Sequence, residues 1–269
     1  MFTKGEDLAN LKSNSQLLFQ PEDDSFILYQ KGSLRWLSFG DRAVQAVIDM
    51  DHPDIPYLPT VRLMLLARYF ARYQEKAERF RVLNLGMGGA SVERFFARLM
   101  PNVRLHAVEV NPALITAMQE FFIVPAETGD SGLTIFAMEA ERFLKQQLDN
   151  AGADYNMIVV DHLTKSEPAD VLSHCEYAAS LLAADGCLAI NLIPDSDEQL
   201  RDHLLAIRQY FPCVRIAGLP GYRNVVVFAR LQPFETVQVS CETQGGLFNP
   251  KEEHTWLESL LVLPDKVAR

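Results

Sequence analysis

An α/β fold, a seven-stranded and mostly parallel sheet closed by an antiparallel C-terminal hairpin and preceded by a small antiparallel β-lobe, follows from three features of the sequence. An apolar run, Val82, Leu83 and Leu85, stops at the glycines Gly86, Gly88 and Gly89 and gives way at once to a helical period in Val92, Phe95, Phe96 and Leu99. Further apolar runs at 104–110, 133–136, 157–160 and 187–192 alternate with helical patterns, and strands separated by helices specify a parallel sheet covered on both sides. The last two runs, 214–217 and 225–229, are joined only by Gly218-Leu219-Pro220-Gly221 and its neighbours, too short for a helical crossover, and predict an antiparallel pair at one edge.

In chain order, residues 1–20 have weak periodicity and read as a mobile or briefly helical lead-in. Three β-type runs follow, 26–30, 34–39 and 43–48, separated by Lys31-Gly32-Ser33 and Gly40-Asp41-Arg42, and these make the antiparallel lobe. The stretch 49–59 holds three prolines and three aspartates and reads as an irregular linker that leads into a helix over 60–73. That linker lies near the glycine turn if the helix packs on the sheet. Among the later helices, Leu114, Ala117, Met118, Phe121 and Phe122 share one face, as do Leu200, Leu204, Ile207 and Phe211. Residues 233–269 read as a tail with a late helix at 252–261, so the expected division is 1–59, 60–232 and 233–269.

With 269 residues, 48% of them hydrophobic, the chain is long enough for one full α/β domain and an extra lobe. No run of 18 apolar residues predicts a membrane span, and the first ten residues have neither the basic start nor the apolar stretch of a signal peptide. Cys175, Cys187, Cys213 and Cys241 are far apart and form no CxxC pair, which argues against a metal knuckle or disulfide framework and for a reducing cytoplasm. A net charge of −10 without a basic cluster disfavours nucleic acid and is compatible with a cationic or neutral small substrate. It serves solubility equally well.

Ligands of open parallel sheets bind beyond the carboxyl ends of the strands, so the residues there are the candidates. The first strand ends in Gly86-Met87-Gly88-Gly89-Ala90, a GxGxA turn whose bare backbone and following helix start suit the polar atoms of a ligand. The second ends in Glu109 and Val110, and Glu109 lies 23 residues after Gly86, near the spacing at which an acid accepts hydrogen bonds from ribose hydroxyls. The third is followed by Met138-Glu139-Ala140-Glu141; an acid here can accept an adenine amine or charge the first turn of the next helix. The fourth ends in Asp161, followed by His162, Leu163 and Thr164. There is no HExxH, Cys/His cluster or GxSxG, which disfavours metal and acyl-enzyme chemistry.

The segments LNLGMGGASVERFF, HAVEVNPALI, AMEAERFL and YNMIVVDHL, in this order and spacing, resemble the spermidine synthase-like proteins. Upstream, SLRWLSFGDRAVQAVIDMDHPD with Tyr57 and Arg62 is similar to that family's β-lobe and connector, so the resemblance covers roughly residues 24–230. It implies a Rossmann-like fold of the class I S-adenosylmethionine-dependent transferases. As co-substrate it implies S-adenosylmethionine or its decarboxylated form, with an aminopropyl group passed to a small amine and no metal. By position it assigns Gly86, Met87, Gly88 and Gly89 to the donor turn, Glu109 and Val110 to the ribose side, Glu139 and Ala140 to the adenine side, and Asp161 to catalysis. Gln45, Tyr57, His162 and Thr164 fall at acceptor positions, and pairing of two copies through the lobe would involve Trp36 and Phe39. Two positions depart from the family pattern: Thr164 stands where a second aspartate is usual, and Leu58-Pro59 follow Tyr57 in place of His-Glu.

The chemistry can also be argued from the residues. Attack on a sulfonium carbon expels a neutral thioether, so it requires a neutral nucleophile held in line rather than an acid on the leaving group. An amine is protonated at neutral pH, and one carboxylate near the reacting carbon can accept its proton. Asp161 is the candidate, expected to stay ionised with a low pKa, and His162 beside it either shuttles protons or points away into a helix face. Methyl transfer from intact S-adenosylmethionine and nucleoside binding without transfer are the alternatives. The GxGxA turn and terminal hairpin disfavour an NAD-dependent oxidoreductase.

Overall fold

The computed structural model of the chain describes residues 11, 13–39, 44–71, 80–100, 102–124, 132–149, 154–161, 167–235 and 250–263. The first four strands, β1 (Gln16–Phe19), β2 (Ile27–Lys31), β3 (Leu34–Ser38) and β4 (Ala46–Asp49), form an antiparallel sheet in the order β1-β2-β3-β4. Residues 16–19, read from the sequence as part of a lead-in, are therefore a strand, paired with β2 through a register shift between Leu17 and Phe19. That shift and two exposed residues, Gln16 and Leu17, blur the alternation that would have marked it. Successive side chains of a strand face opposite ways. Phe26, Leu28, Leu37, Ala46 and Ile48 accordingly join the main core, while Trp36 and Val47 form a second cluster with Leu11 on the other face.

The helix expected over 60–73 is broken into α1 (Pro59–Met64) and α2 (Ala67–Phe70), with residues 72 and 73 outside the described residues. Between them the hydrogen bonds tighten to three-residue spacing, Leu66 N–H to Leu63 O and Tyr69 N–H to Leu66 O, each 3.0 Å. Leu63 to Ala67 are all buried, so packing on every side has replaced an amphipathic pattern.

The main sheet begins with β5 (Phe80–Leu85), α3 (Ser91–Leu99), β6 (Val103–Glu109), α4 (Pro112–Phe121) and β7 (Leu133–Ala137). It continues through α5 (Ala140–Asp149), β8 (Tyr155–Val160), α6 (Pro168–Leu181), β9 (Leu182–Leu192), α7 (Asp197–Tyr210), β10 (Cys213–Gly218) and β11 (Val225–Arg230). After the undescribed residues 236–249 come α8 (Pro250–Ser259) and β12 (Leu261–Val262). The strand order is β12-β10-β11-β9-β8-β5-β6-β7, parallel from β9 to β7. The chain moves outward from β5 in one direction through β7 and then in the other through β8 and β9, which puts the switch point between β5 and β8.

The expected hairpin forms at one end of the sheet, with β11 paired to β9 and β10 outside it, and the two-residue β12 extends the sheet beyond β10. That last strand is Leu261–Val262, and Leu261 was expected to end the late helix. The segment after Pro233 is joined to the body at several points. Phe234 meets Phe70 edge-on at 5.0 Å, Arg62 pairs with Glu252 at 2.8 Å, and the fully buried Arg68 pairs with the fully buried Glu253 at 2.7 Å. Among the described residues no helix is long and apolar enough to cross a membrane.

Candidate functional site

Sheet register aligns four residues in a row at the carboxyl ends of the strands. Leu85 on β5 pairs with Val108 on β6 and with Val160 on β8, and Val160 pairs with Ile190 on β9. The next residues are Gly86, Glu109, Asp161 and Asn191. The ladder continues through them, with Gly86 N–H donating to Val108 O and Asp161 N–H to Leu85 O, both 3.0 Å. At about 4.8 Å per strand, Glu109 and Asp161 stand roughly 10 Å apart on either side of Gly86. Leu85, Val108, Val160 and Ile190 all pack into the core on one face of the sheet. Glu109, Asp161 and Asn191 therefore point to the other face, whose core is shared by lobe residues and the helices α1 and α2.

The glycine turn has the backbone its residues permit. Gly86 and Gly88 have φ of 90° and 50°, and Ala90 caps α3 in the left-handed region at φ 54°. Gly89 is required by contact: a Cβ there would lie 2.1 Å from the Ala46 Cβ on β4, so lobe and turn touch at this point. Met87 beside it is buried. Glu109 accepts from Gly88 N–H at 3.3 Å through Oε2 and from Asn111 N–H at 3.0 Å through Oε1, leaving a lone pair free on each oxygen. Asn111 caps α4 by accepting from Ala113 N–H and Leu114 N–H, and its amide donates to Ser25 Oγ at 3.2 Å, a second tie to the lobe.

Val110 is 59% exposed beside Glu109. Met138 N–H donates to Glu109 O at 3.0 Å, which brings the end of β7 alongside β6. Of the two glutamates that follow, Glu139 is exposed at the strand end before Ala140, the first residue of α5, whereas Glu141 is paired with Lys145 at 2.6 Å. Gln45 is exposed; its backbone N–H donates to Leu37 O, and it immediately precedes Ala46, which touches the turn. Tyr57 packs against the Leu11, Trp36 and Val47 cluster of the lobe. His162 and Thr164 lie outside the described residues.

Asp161 differs from its expected state. Burial raises its pKa from 3.8 to about 6, against the opposing influence of Asn191, whose Nδ2 donates to Asp161 Oδ1 at 2.7 Å. A carboxylate at this value is a better proton acceptor than the low-pKa anchor the sequence suggested, because its surroundings give it less water than a strand end alone implies. Asn224, just before β11, donates through Nδ2 to Asn191 Oδ1 at 2.9 Å.

Behind the turn lie three polar residues that the sequence reading missed. Glu93 and Asn84 are buried and bonded to each other, Asn84 Nδ2 to Glu93 Oε1 at 2.6 Å, and burial pushes the Glu93 pKa up to about 7. Arg94, also buried, donates to Gly89 O at 2.7 Å, Pro53 O at 3.0 Å, Phe122 O at 3.3 Å and Ser91 Oγ at 3.2 Å. It thereby fixes the proline-rich linker beside the glycine turn, where the sequence placed it. Asn191 was legible in principle: it ends the run CLAIN as Asp161 ends MIVVD. Glu93 and Arg94 were not, since charged residues at a helix start read as solvated.

Trp36 does not fit the lobe contact expected between copies. It is buried, stacks on Tyr29 at 4.3 Å and donates through Nε1 to Ser15 Oγ, while Phe39 is 46% exposed. His106 Nδ1 is 2.7 Å from Tyr155 Oη, and burial lowers its pKa. Among the described residues no group of three or more His, Cys, Asp or Glu is arranged to hold a metal ion.

No family model matches the chain. It is 30% identical over 98 residues to the polyamine aminopropyltransferase of Chromobacterium violaceum, and 27% identical over 165 residues to that of Neisseria meningitidis. These stretches cover 36% and 60% of this chain but only 36% and 59% of the two relatives. A probable spermidine synthase from Corynebacterium glutamicum superposes with a TM-score of 0.66 at 15% identity, covering 94% of this chain and 97% of the other. The spermidine synthase of Thermotoga maritima gives 0.62 at 14% identity, covering 93% and 85%. Human methyltransferase-like protein 13, in complex with SAH, gives 0.53 at 20% identity, covering 77% and 93%. At these identities the structural likeness is one of architecture. The chain has the spermidine synthase-like fold of the class I S-adenosylmethionine-dependent transferases.

Proposed function

We propose that the chain binds decarboxylated S-adenosylmethionine, or the intact form, at the glycine turn and transfers an aminopropyl or other alkyl group to a small amine. The observation that carries this reading is the row Glu109, Gly86, Asp161, with two carboxylates on one face at either side of a bare turn. In it, Glu109 takes the ribose hydroxyls on its free lone pairs, the exposed Val110 lies against the base, and Glu139 accepts the adenine amine. Gly86, Met87, Gly88, Gly89 and Ala140 supply the backbone around the nucleoside. The donor supplies an electrophilic carbon on a sulfonium that departs as a neutral thioether. Asp161 accepts the proton of the acceptor ammonium, and the freed amine forms the new N–C bond as the C–S bond breaks. With a pKa of about 6, Asp161 is mostly ionised and ready for this at neutral pH. The family resemblance assigns Gln45, Tyr57, His162 and Thr164 to the acceptor side, and the buried thiols of Cys175 and Cys187 suit a reducing cytoplasm.

Names of the relatives favour aminopropyl transfer. Methyl transfer is the second reading, supported by Thr164 at the usual second-aspartate position and by 24% identity over 162 residues to a mouse eEF1A lysine and N-terminal methyltransferase, a match covering 23% of that protein. Calorimetric titration with S-adenosylmethionine, its decarboxylated form, methylthioadenosine and NAD separates the readings. Preference for the decarboxylated form or methylthioadenosine is expected. Preference for intact S-adenosylmethionine replaces aminopropyl by methyl transfer, and binding of NAD alone or of no nucleoside overturns both.

A further inference from the structure

The amides of Asn191 and Asn224 form a directional chain that ends on Asp161. Asn224 Nδ2 donates to Asn191 Oδ1 at 2.9 Å, which turns the Asn191 Nδ2 toward Asp161 Oδ1 at 2.7 Å. Asn191 is 5% exposed and Asn224 half-buried, so water competes poorly for the inner bond. An amide presents a donor on one side and an acceptor on the other. If Asn191 turned over, its oxygen would face the Asp161 carboxylate, an arrangement that suits only the protonated acid. The groups that meet Asp161 from the neighbouring strands are the neutral Asn191 of β9 and the Leu85 carbonyl of β5, with Asn224 behind Asn191 at the start of β11. No charged side chain of the described residues is hydrogen-bonded to it or figures among the causes of its pKa shift.

We propose that Asn191 and Asn224 are positioning residues that hold Asp161 in its charged form and fix its orientation through Oδ1, so that Oδ2, which accepts no hydrogen bond among the described residues, is turned to the acceptor. The proposal rests on the transferase reading only for the identity of that acceptor. The Asp161 bond itself is tested without substrate. Selective 13C labelling of aspartate carboxyls gives an Asp161 signal, identified by its loss in Asp161→Asn, whose midpoint can be followed with pH. Asn224→Ala, a change at a half-buried turn, should raise the midpoint by about half to one pH unit, and Asn191→Ala by about one to two, the scale of one hydrogen bond lost to a charged group. Because Asn224 acts through Asn191, the double variant should go no further than Asn191→Ala alone, and Asn224→Ser, which keeps a donor, should recover part of the shift.

A midpoint unmoved in Asn224→Ala, or additive shifts in the double variant, would overturn the relay even if nucleosides bind as expected. The expected shifts in a chain that binds no nucleoside would support the relay and count against the transferase reading alone. Should Asn191→Ala fail to fold, the Asn224→Ala and Asn224→Ser pair still decides.

Discussion

Replacing Glu93 by glutamine removes a titrating group from behind the glycine turn and leaves its shape and its acceptor oxygen for Asn84 in place. In the folded chain burial holds the Glu93 pKa at about 7 instead of 4.5, so the native state binds this proton more tightly than the unfolded chain does. The stabilisation from that proton is complete below pH 4.5 and is lost as the pH rises through 7. Roughly 2.5 pH units at 1.36 kcal/mol each make the full loss about 3 kcal/mol, of which about 2 kcal/mol falls between pH 5.5 and 8.5. Asp161, raised in the same sense to about 6, loses its own contribution between pH 3.8 and 6 in both proteins, and this cancels from the comparison. Urea unfolding followed by circular dichroism at the two pH values, on the chain and on Glu93→Gln, should show the variant gaining about 2 kcal/mol relative to its parent at the higher pH. Parallel pH dependence in the two proteins would refute the reasoning, because it would mean that Glu93 ionises without cost.

Glu109→Ala should weaken nucleoside binding by about 1 to 3 kcal/mol, roughly five- to 150-fold in Kd; an unchanged Kd by calorimetry would remove Glu109 from the site. Asp161→Asn should leave nucleoside affinity nearly intact and abolish turnover, and in the parent chain kcat/KM should fall on the acid side with a midpoint near 6. Surviving turnover in the variant, or a flat profile between pH 5 and 7, would count against the proton-accepting role. Gly89→Ala should destabilise by about 1 to 3 kcal/mol through the Ala46 contact, and Ala46→Gly added to it should restore most of the loss. Thermal unfolding reads both, and an unrepaired double variant would place the fault elsewhere.

Features carried by long apolar runs were legible in the sequence. The parallel strands, the turn at Gly86 and the strand-end positions of Glu109 and Asp161 follow from runs that end in a glycine or an acid, and the register then sets them in one row. What sequence reading missed depends on partners distant along the chain. Strand β1 is defined by β2 and not by its own alternation, and β12, two exposed residues long, by the edge that β10 offers. Trp36 looks like a surface aromatic until Leu11, Tyr29 and Ser15 close over it. Glu93 and Arg94 sit at a helix start as solvated charges do, but the linker, the α4 end and Asn84 bury them. The raised pKa of Asp161 has the same origin, since local sequence shows the carboxylate but not the residues that bury it.

The ion pair between Arg68 and Glu253 spans 185 residues. Both groups are buried, and removing one partner of such a pair costs about 3 to 5 kcal/mol because the other charge is left dry and uncompensated. The late helix α8 thus contributes to holding α2, which packs on β9, so a charge near the end of the described residues bears on how firmly one of the first helices is seated.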